Sequence, residues 1–191
     1  MFRQLAYVFA ALVGGSAFAG MLPQVARAAE GKTVAVADGA LSFTAPEGWE
    51  VRQPKVNFIE AEFAAKAVGD DMAEMRVTVS GAGGGVQANL DRWIGQFERA
   101  GGGAATKEDA KLEETKIAGQ TVHFIDMAGT YLDKPFPLAP KAVPRENYRL
   151  LGAIIVTEKK GSYFVKGYGP AATVAANEKA FREFVGSLKL K

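Results

Sequence analysis

The chain has 191 residues, with 23 Lys plus Arg, 21 Asp plus Glu, one His and no Cys. That length suits one domain, and 48% hydrophobic with 23% charged residues is the composition of a folding chain, not a disordered one. The lack of cysteine excludes a disulfide scaffold, a thiolate zinc site, a cysteine nucleophile and a lipid-modified N-terminal Cys.

Residues 1–28 read as a Sec-type signal peptide. Arg3 supplies the positive n-region, Leu5 to Leu22 is uncharged, Pro23 breaks any helix, and Ala26-Arg27-Ala28 is a small–x–small cleavage pattern. The pattern predicts cleavage after Ala28, a periplasmic or secreted location, and no stable membrane insertion afterwards. The competing reading is a retained anchor, since an uncharged run of this length just reaches across a bilayer. Gly14, Gly15 and Gly20 disfavour it. Removal of the segment takes Arg3 and Arg27 with it, leaving 21 basic against 21 acidic residues over 29–191. The basic excess that a nucleic-acid partner requires is then gone, and an exported location argues against ATP- or NAD-dependent chemistry.

The remainder reads as a single domain, 29–191. Short apolar segments come first, at Thr33–Ala37, Leu41–Thr44 and Trp49–Arg52. Ile59, Ala61 and Phe63 then alternate with Glu60 and Glu62, and Met75, Val77 and Val79 alternate with Glu74, Arg76 and Thr78. Period two predicts two half-buried strands. An antiparallel register with Ile59 opposite Val79, Ala61 opposite Val77 and Phe63 opposite Met75 sets Glu62 against Arg76 and centres the turn on Gly69. The glycine-rich joint Gly81–Gly85 leads into a helix over about 88–100, because Leu90, Trp93, Ile94 and Phe97 follow i, i+3, i+4, i+7 and Gly101-Gly102-Gly103 would end it. Strands are predicted at Lys111–Ile117 and Gln120–Leu132 around Ala118-Gly119, and at Tyr148–Thr157 and Ser162–Tyr168 around Lys159-Lys160-Gly161. Phe181, Phe184, Val185 and Leu188 mark a final helix, about 173–188.

Strands and helices do not alternate strictly, which disfavours a doubly wound parallel sheet. The run Leu150–Val156 is apolar at both parities and predicts a central strand covered on both faces. The expected fold is α+β, an α/β/α sandwich with a central, mainly antiparallel sheet and two main helices.

No motif supplies chemistry outright. Gly81–Gly85 fails as a phosphate cradle, since Val86 stands where the third glycine of G-x-G-x-x-G is needed and no G-K-[ST] follows. His123 lies in a strand with Asp126 on the opposite face, no G-x-S-x-G occurs, and Ser162 falls in a hairpin turn. Asp70-Asp71, Glu108-Asp109 and Glu113-Glu114 lack the spacing of a calcium loop and read as solvated turns. Trp93 sits on the apolar stripe of its helix, and Trp49, after Pro46-Glu47-Gly48, anchors a turn to the sheet. The segment that stays open is a long loop with Pro135, Pro137, Pro140 and Pro144. Its candidate partner-binding residues are Lys134, Lys141, Arg145, Tyr148 and Arg149, whose basic and aromatic character suits a protein or a small anionic ligand.

Leu41-Ser42-Phe43-Thr44-Ala45-Pro46-Glu47-Gly48-Trp49 resembles the apolar strand and Pro-x-Gly-Trp opening of proteins with the PsbP/Mog1-like fold. Asn89–Phe97 is similar to a helix in exported bacterial proteins related to that fold. Phe164–Pro170, followed by a helix containing Phe181 and Phe184, is similar to their ending. The resemblance spans about residues 41–190 and implies an antiparallel sheet between helical layers. It also implies partner binding: the plant lumenal member supports the oxygen-evolving complex and the nuclear one engages a small GTPase. It carries over no catalytic residues and no cofactor.

The expected function is therefore an exported, non-enzymatic binding or accessory module of the cell envelope. The alternatives are a periplasmic hydrolase using carboxylates such as Asp126 or Glu62, and a structural envelope protein held by an uncleaved N-terminus.

Overall fold

The computed structural model describes residues 31–69, 73–134 and 141–191. In chain order the elements are β1 (Thr33–Val36), β2 (Leu41–Thr44), β3 (Trp49–Arg52), β4 (Ile59–Ala65), β5 (Met75–Ala82), α1 (Val86–Ile94), β6 (Phe97–Glu98), β7 (Lys111–Ile117), β8 (Gln120–Asp133), β9 (Val143–Thr157), β10 (Gly161–Pro170), α2 (Ala171–Gly186) and β11 (Lys189–Leu190). A single 3-10 turn at Lys107–Asp109 precedes β7. The main sheet runs β3-β4-β5-β10-β9-β8-β6, with β7 also on β8, and a small sheet is ordered β1-β2-β11. Every pairing is antiparallel.

The sheet has a core on each face. One lies under α2 and the small sheet, where Phe43, Trp49 and Phe63 close on Phe184 at centroid distances of 4.9, 5.5 and 5.4 Å. The other lies under α1, where Leu90, Trp93 and Ile94 pack on Ile125, Leu150, Ile154 and Phe164. The central strand separates by parity as its sequence predicts: Leu151, Ala153 and Ile155 face α2, while Leu150 and Ile154 face α1. Gly152, between them, faces Trp93 so closely that a Cβ would collide with the indole and with Ile125. Among the described residues the chain forms the three-layer α+β sandwich with two helices. Among the described residues, no helix is long and apolar enough to cross a membrane.

Three local expectations change. The β4–β5 hairpin exists, but two residues out of the expected register: Ala61 opposes Val79, Phe63 opposes Val77 and Ala65 opposes Met75. A two-residue slip keeps every side chain on its face, so periodicity cannot detect it. The turn expected at Gly69 adjoins residues 70–72, outside the described residues, as are Asp70 and Asp71 of the first acidic cluster. Glu62 still meets Arg76, as a diagonal neighbour within reach of a long side chain. At the other end of β4 a bulge between Ile59 and Ala61 sets Ile59 opposite Ser80 and turns it out of the apolar face where a regular strand would hold it.

Helix α1 is shorter than predicted and stops at Ile94. Gly95 donates to the carbonyl of Asp91 at 2.9 Å and caps it. Phe97, expected on the helical stripe, is instead paired with Tyr131 in β6, and it is nevertheless buried. Gly129 of β8 permits this strand, because a Cβ there would strike the carbonyl oxygen of Glu98.

Finally, β9 begins at Val143, so Pro144, Arg145, Tyr148 and Arg149 are strand residues, and the connection from β8 is shorter than the predicted loop. Pro135, Pro137 and Pro140 lie outside the described residues.

Candidate functional site

Nine residues make α1 too short to cover its whole face of the sheet. It lies over β8, β9 and β10 and leaves the α1-side residues of β4 and β5 open. The result is a cleft of about 790 Å³. Its floor is Glu62 of β4, Arg76, Thr78 and Ser80 of β5, and Phe164, Lys166 and Tyr168 of β10. Arg92, Trp93 and Gln96 form one wall, Tyr131, Asp133 and Lys134 the end, and Lys55, Val56, Phe58 and Ile59 the lip. Phe58 is 62% exposed at that lip.

Arg76 is held in an ion pair. Its guanidinium donates to both Glu62 oxygens at 2.8 Å and to the Tyr168 hydroxyl at 3.0 Å. The Glu62 hydrogen bonds raise the arginine above its ordinary range, and the same pair lowers the Glu62 carboxyl. Lys166 is different. Its Nζ donates to Gln96 Oε1 at 2.6 Å, lies 3.5 Å from the Tyr131 hydroxyl, and sits 4.8 and 5.3 Å from the centroids of Tyr168 and Tyr131. Neutral acceptors and ring faces surround it, and among the described residues no carboxylate is in ion-pair contact with it. Burial, then Arg92 and Arg76, push its pKa down to about 7, with Asp133 opposing. Burial above all raises the Tyr131 phenol, which stacks on Tyr148 at 6.1 Å and packs on Tyr168 at 5.0 Å.

The five candidate residues from the sequence do not converge. Lys134 lies at the end of the cleft, and Tyr148 backs its aromatic wall through Tyr131. Arg145 is exposed and contacts Asp133 at 3.4 Å, and Lys141 is exposed. Arg149 projects from the opposite face, where it donates to Asp126 at 2.7 Å and to Glu178 of α2 at 2.6 Å. These two bonds, Asp126 first, raise its pKa against the cost of burial.

His123 faces the α1 side, 3.3 Å from Glu114, and Asp126 faces α2, as alternation predicts. Glu113 and Glu114 are not in a turn but on β7, where Glu113 pairs with Arg182. Asp109 caps the 3-10 turn against Thr106. Trp93 is core, and Trp49 anchors its turn by donating to Asn177 at 3.2 Å. Both carboxylates considered for hydrolysis, Asp126 and Glu62, are bidentate partners of arginines. Among the described residues no group of three or more His, Asp or Glu is placed to hold a metal ion.

Sequence reasoning missed Lys166, Arg92, Gln96, Tyr131 and Tyr168. One signal was available: Lys166 interrupts the otherwise uncharged strand Tyr163–Tyr168, and at period two it shares a face with Phe164 and Tyr168.

No protein-family model matches the sequence, and no curated protein matches it. Solved structures do. The solution structure of cyanobacterial PsbP (CyanoP) from Synechocystis sp. PCC 6803 is similar over 91% of this chain and 99% of its own, at TM-score 0.50 and 14% identity. LpqN, involved in cell envelope biogenesis of Mycobacterium tuberculosis, is similar over 84% of this chain and 90% of its own, at TM-score 0.50 and 8% identity. The Saccharomyces cerevisiae Ran-binding protein Mog1p matches 83% of this chain and 94% of its own, at TM-score 0.45 and 12% identity. The fold is PsbP-like, and fold alone does not carry a function with it.

Proposed function

We propose that this chain is an exported accessory module of the cell envelope, released from its signal peptide after Ala28, that binds a ligand or partner through the cleft beside α1. The observation that carries this reading is the cleft itself. Lys55, Arg92, Lys134 and Lys166 line it, and among the described residues none of the four has a carboxylate within ion-pair distance. An aromatic wall and an apolar lip stand beside these charges. Concave sites of 300–1,000 Å³ that combine apolar lining with a few fixed polar groups are the usual form of a small-molecule site. An envelope role for LpqN is compatible with this reading.

The test has two parts. The full chain is expressed in a bacterium with a periplasm, and the intact mass of the fractionated protein is measured. A chain starting at Ala29 is expected in the soluble envelope fraction, and a membrane-held chain retaining residues 1–28 would reject export by cleavage. The second part fills the cleft with Ser80→Trp and compares molecules co-purifying with each protein by native mass spectrometry. A bound species is expected on the wild type and absent from the variant; equal binding to both would reject the cleft.

A further inference from the structure

The cleft's charges are unequal in kind, and the inequality specifies a ligand. Arg76 is neutralised by Glu62 through two 2.8 Å bonds, and Asp133 is partnered by Arg145 at 3.4 Å. Lys166 is half-buried among neutral acceptors, while Arg92 and Lys134 project into the same space from the wall and the end. A half-buried cation without a counter-ion is costly unless something supplies the charge. Gln96 and Tyr131 occupy two directions around the ammonium, and among the described residues its third proton has no acceptor.

We propose that Lys166 is the anion-recognition centre of this cleft, and that its ligand is a small amphiphile bearing one oxyanion head, carboxylate or phosphoryl, on an aromatic or aliphatic body. This rests on the cleft being the binding site and names what binds there. The head accepts from Lys166, with Arg92 and Lys134 adding charge at longer range. The body lies against the Tyr131 and Tyr168 rings and reaches Ile59, which the β4 bulge turns into the cleft, and the exposed Phe58 at the lip.

A pH signature follows. The groups facing Lys166 are Arg92 beside it from α1, Arg76 from β5 with its partner Glu62 from β4, Tyr131 and Asp133 from β8 with Tyr148 of β9 behind them and Lys134 just beyond, Lys55 at the lip, and Tyr168 from its own strand. Burial and the two arginines leave the lysine largely neutral above about pH 7 in the empty cleft. An oxyanion against Nζ favours the charged form and raises the pKa again. Binding at pH 8.5 therefore takes up a proton, and affinity falls by up to tenfold per pH unit above pH 7.

Calorimetry with 2-naphthoate, 2-naphthyl phosphate and the uncharged 2-naphthalenemethanol tests this at pH 6.5 and 8.5, in buffers of different ionisation heat. The wild type is expected to bind at least one anion tenfold or more tightly than the alcohol, with uptake of close to one proton at pH 8.5. Lys166→Met should weaken anion binding at least tenfold and abolish the uptake. Lys166→Arg, charged at both pH values, should bind without proton uptake. The ratio of naphthoate to phosphate affinity identifies the head group.

Three results would overturn the assignment: no probe binding to the wild type, the alcohol binding as tightly as both anions, or Lys166→Met retaining the wild-type affinity and proton uptake. If all three probes bind alike and Ser80→Trp abolishes them, the cleft stands and the oxyanion falls. If anion binding survives Ser80→Trp unchanged, the cleft itself falls.

Discussion

The two faces of one sheet solve opposite problems. On the α2 face a helix of 16 residues and a three-stranded sheet close over the strands, and charge at the margin is compensated. Arg149 joins Asp126 to Glu178, and Arg182 joins Glu178 to Glu113. On the α1 face a helix of nine residues leaves part of the sheet open, and the cleft beside it holds Lys55, Arg92, Lys134 and Lys166, which have no counter-ion among the described residues. The same strands, read at alternate residues, supply both. Adjacent side chains in β9 illustrate it, since Tyr148 backs the cleft and Arg149 ties down α2. Closure and neutralisation mark the supporting face, and incomplete closure with uncompensated charge marks the face proposed to bind.

The largest effect should come from the supporting face. Phe184 is fully buried and touches three other rings, so Phe184→Ala is expected to cost about 3–5 kcal/mol in urea unfolding. A cost under about 1 kcal/mol would place the structural centre elsewhere. Arg149→Met removes the cation between two carboxylates whose side chains are 20% and 34% exposed. Solvent screening should hold the loss to about 1–3 kcal/mol, below that of a fully buried pair. No loss in unfolding at pH 7 would mean that the α2-face charges are ornamental.

The smallest effect has the opposite sign. Lys166→Met should stabilise the protein by about 1–2 kcal/mol at pH 7, because it removes a desolvated cation. Solvent at the half-buried ammonium and the lost Gln96 bond hold the gain well below the full linkage limit. The lysine's folded pKa of about 7 lies below its ordinary 10.5. Between those values the unfolded chain holds a proton that the folded one does not, so the wild type gains stability as pH rises. The advantage of the variant is greatest at pH 7 and below, shrinks above it, and vanishes near pH 10.5. A variant less stable than wild type at pH 7 would make Lys166 a supporting residue and erase the contrast between the faces.

Much of this architecture was legible in residue patterns. Leu150–Val156 announced a strand buried on both sides, and Ala118-Gly119 marked a turn that the structure places between β7 and β8, with both residues at positive φ. Legibility ended where two arrangements satisfy the same pattern. The β4–β5 register and the end of α1 are both such cases: a slip of two preserves faces, and Phe97 is buried whether helical or extended. The cleft was hidden for another reason. Lys166, Arg92, Gln96 and Tyr131 come from β10, α1, the turn after α1 and β8, and meet only through the strand order β10-β9-β8, which local spacing does not encode. The proline loop drew attention by composition, yet of its basic residues only Lys134 reaches the cleft.

The pairing of β11 with β2 sets a condition on assembly. Leu190 lies beside Leu41, and Lys191 donates to the carbonyl of Ala40 at 3.0 Å. Partners about 150 residues apart impose a closure cost of about 4 kcal/mol beyond any local term. Contacts of such separation form late and slow the approach to the native state. A chain emerging from synthesis therefore cannot complete this small sheet until Lys189 and Leu190 are available to pair with β2.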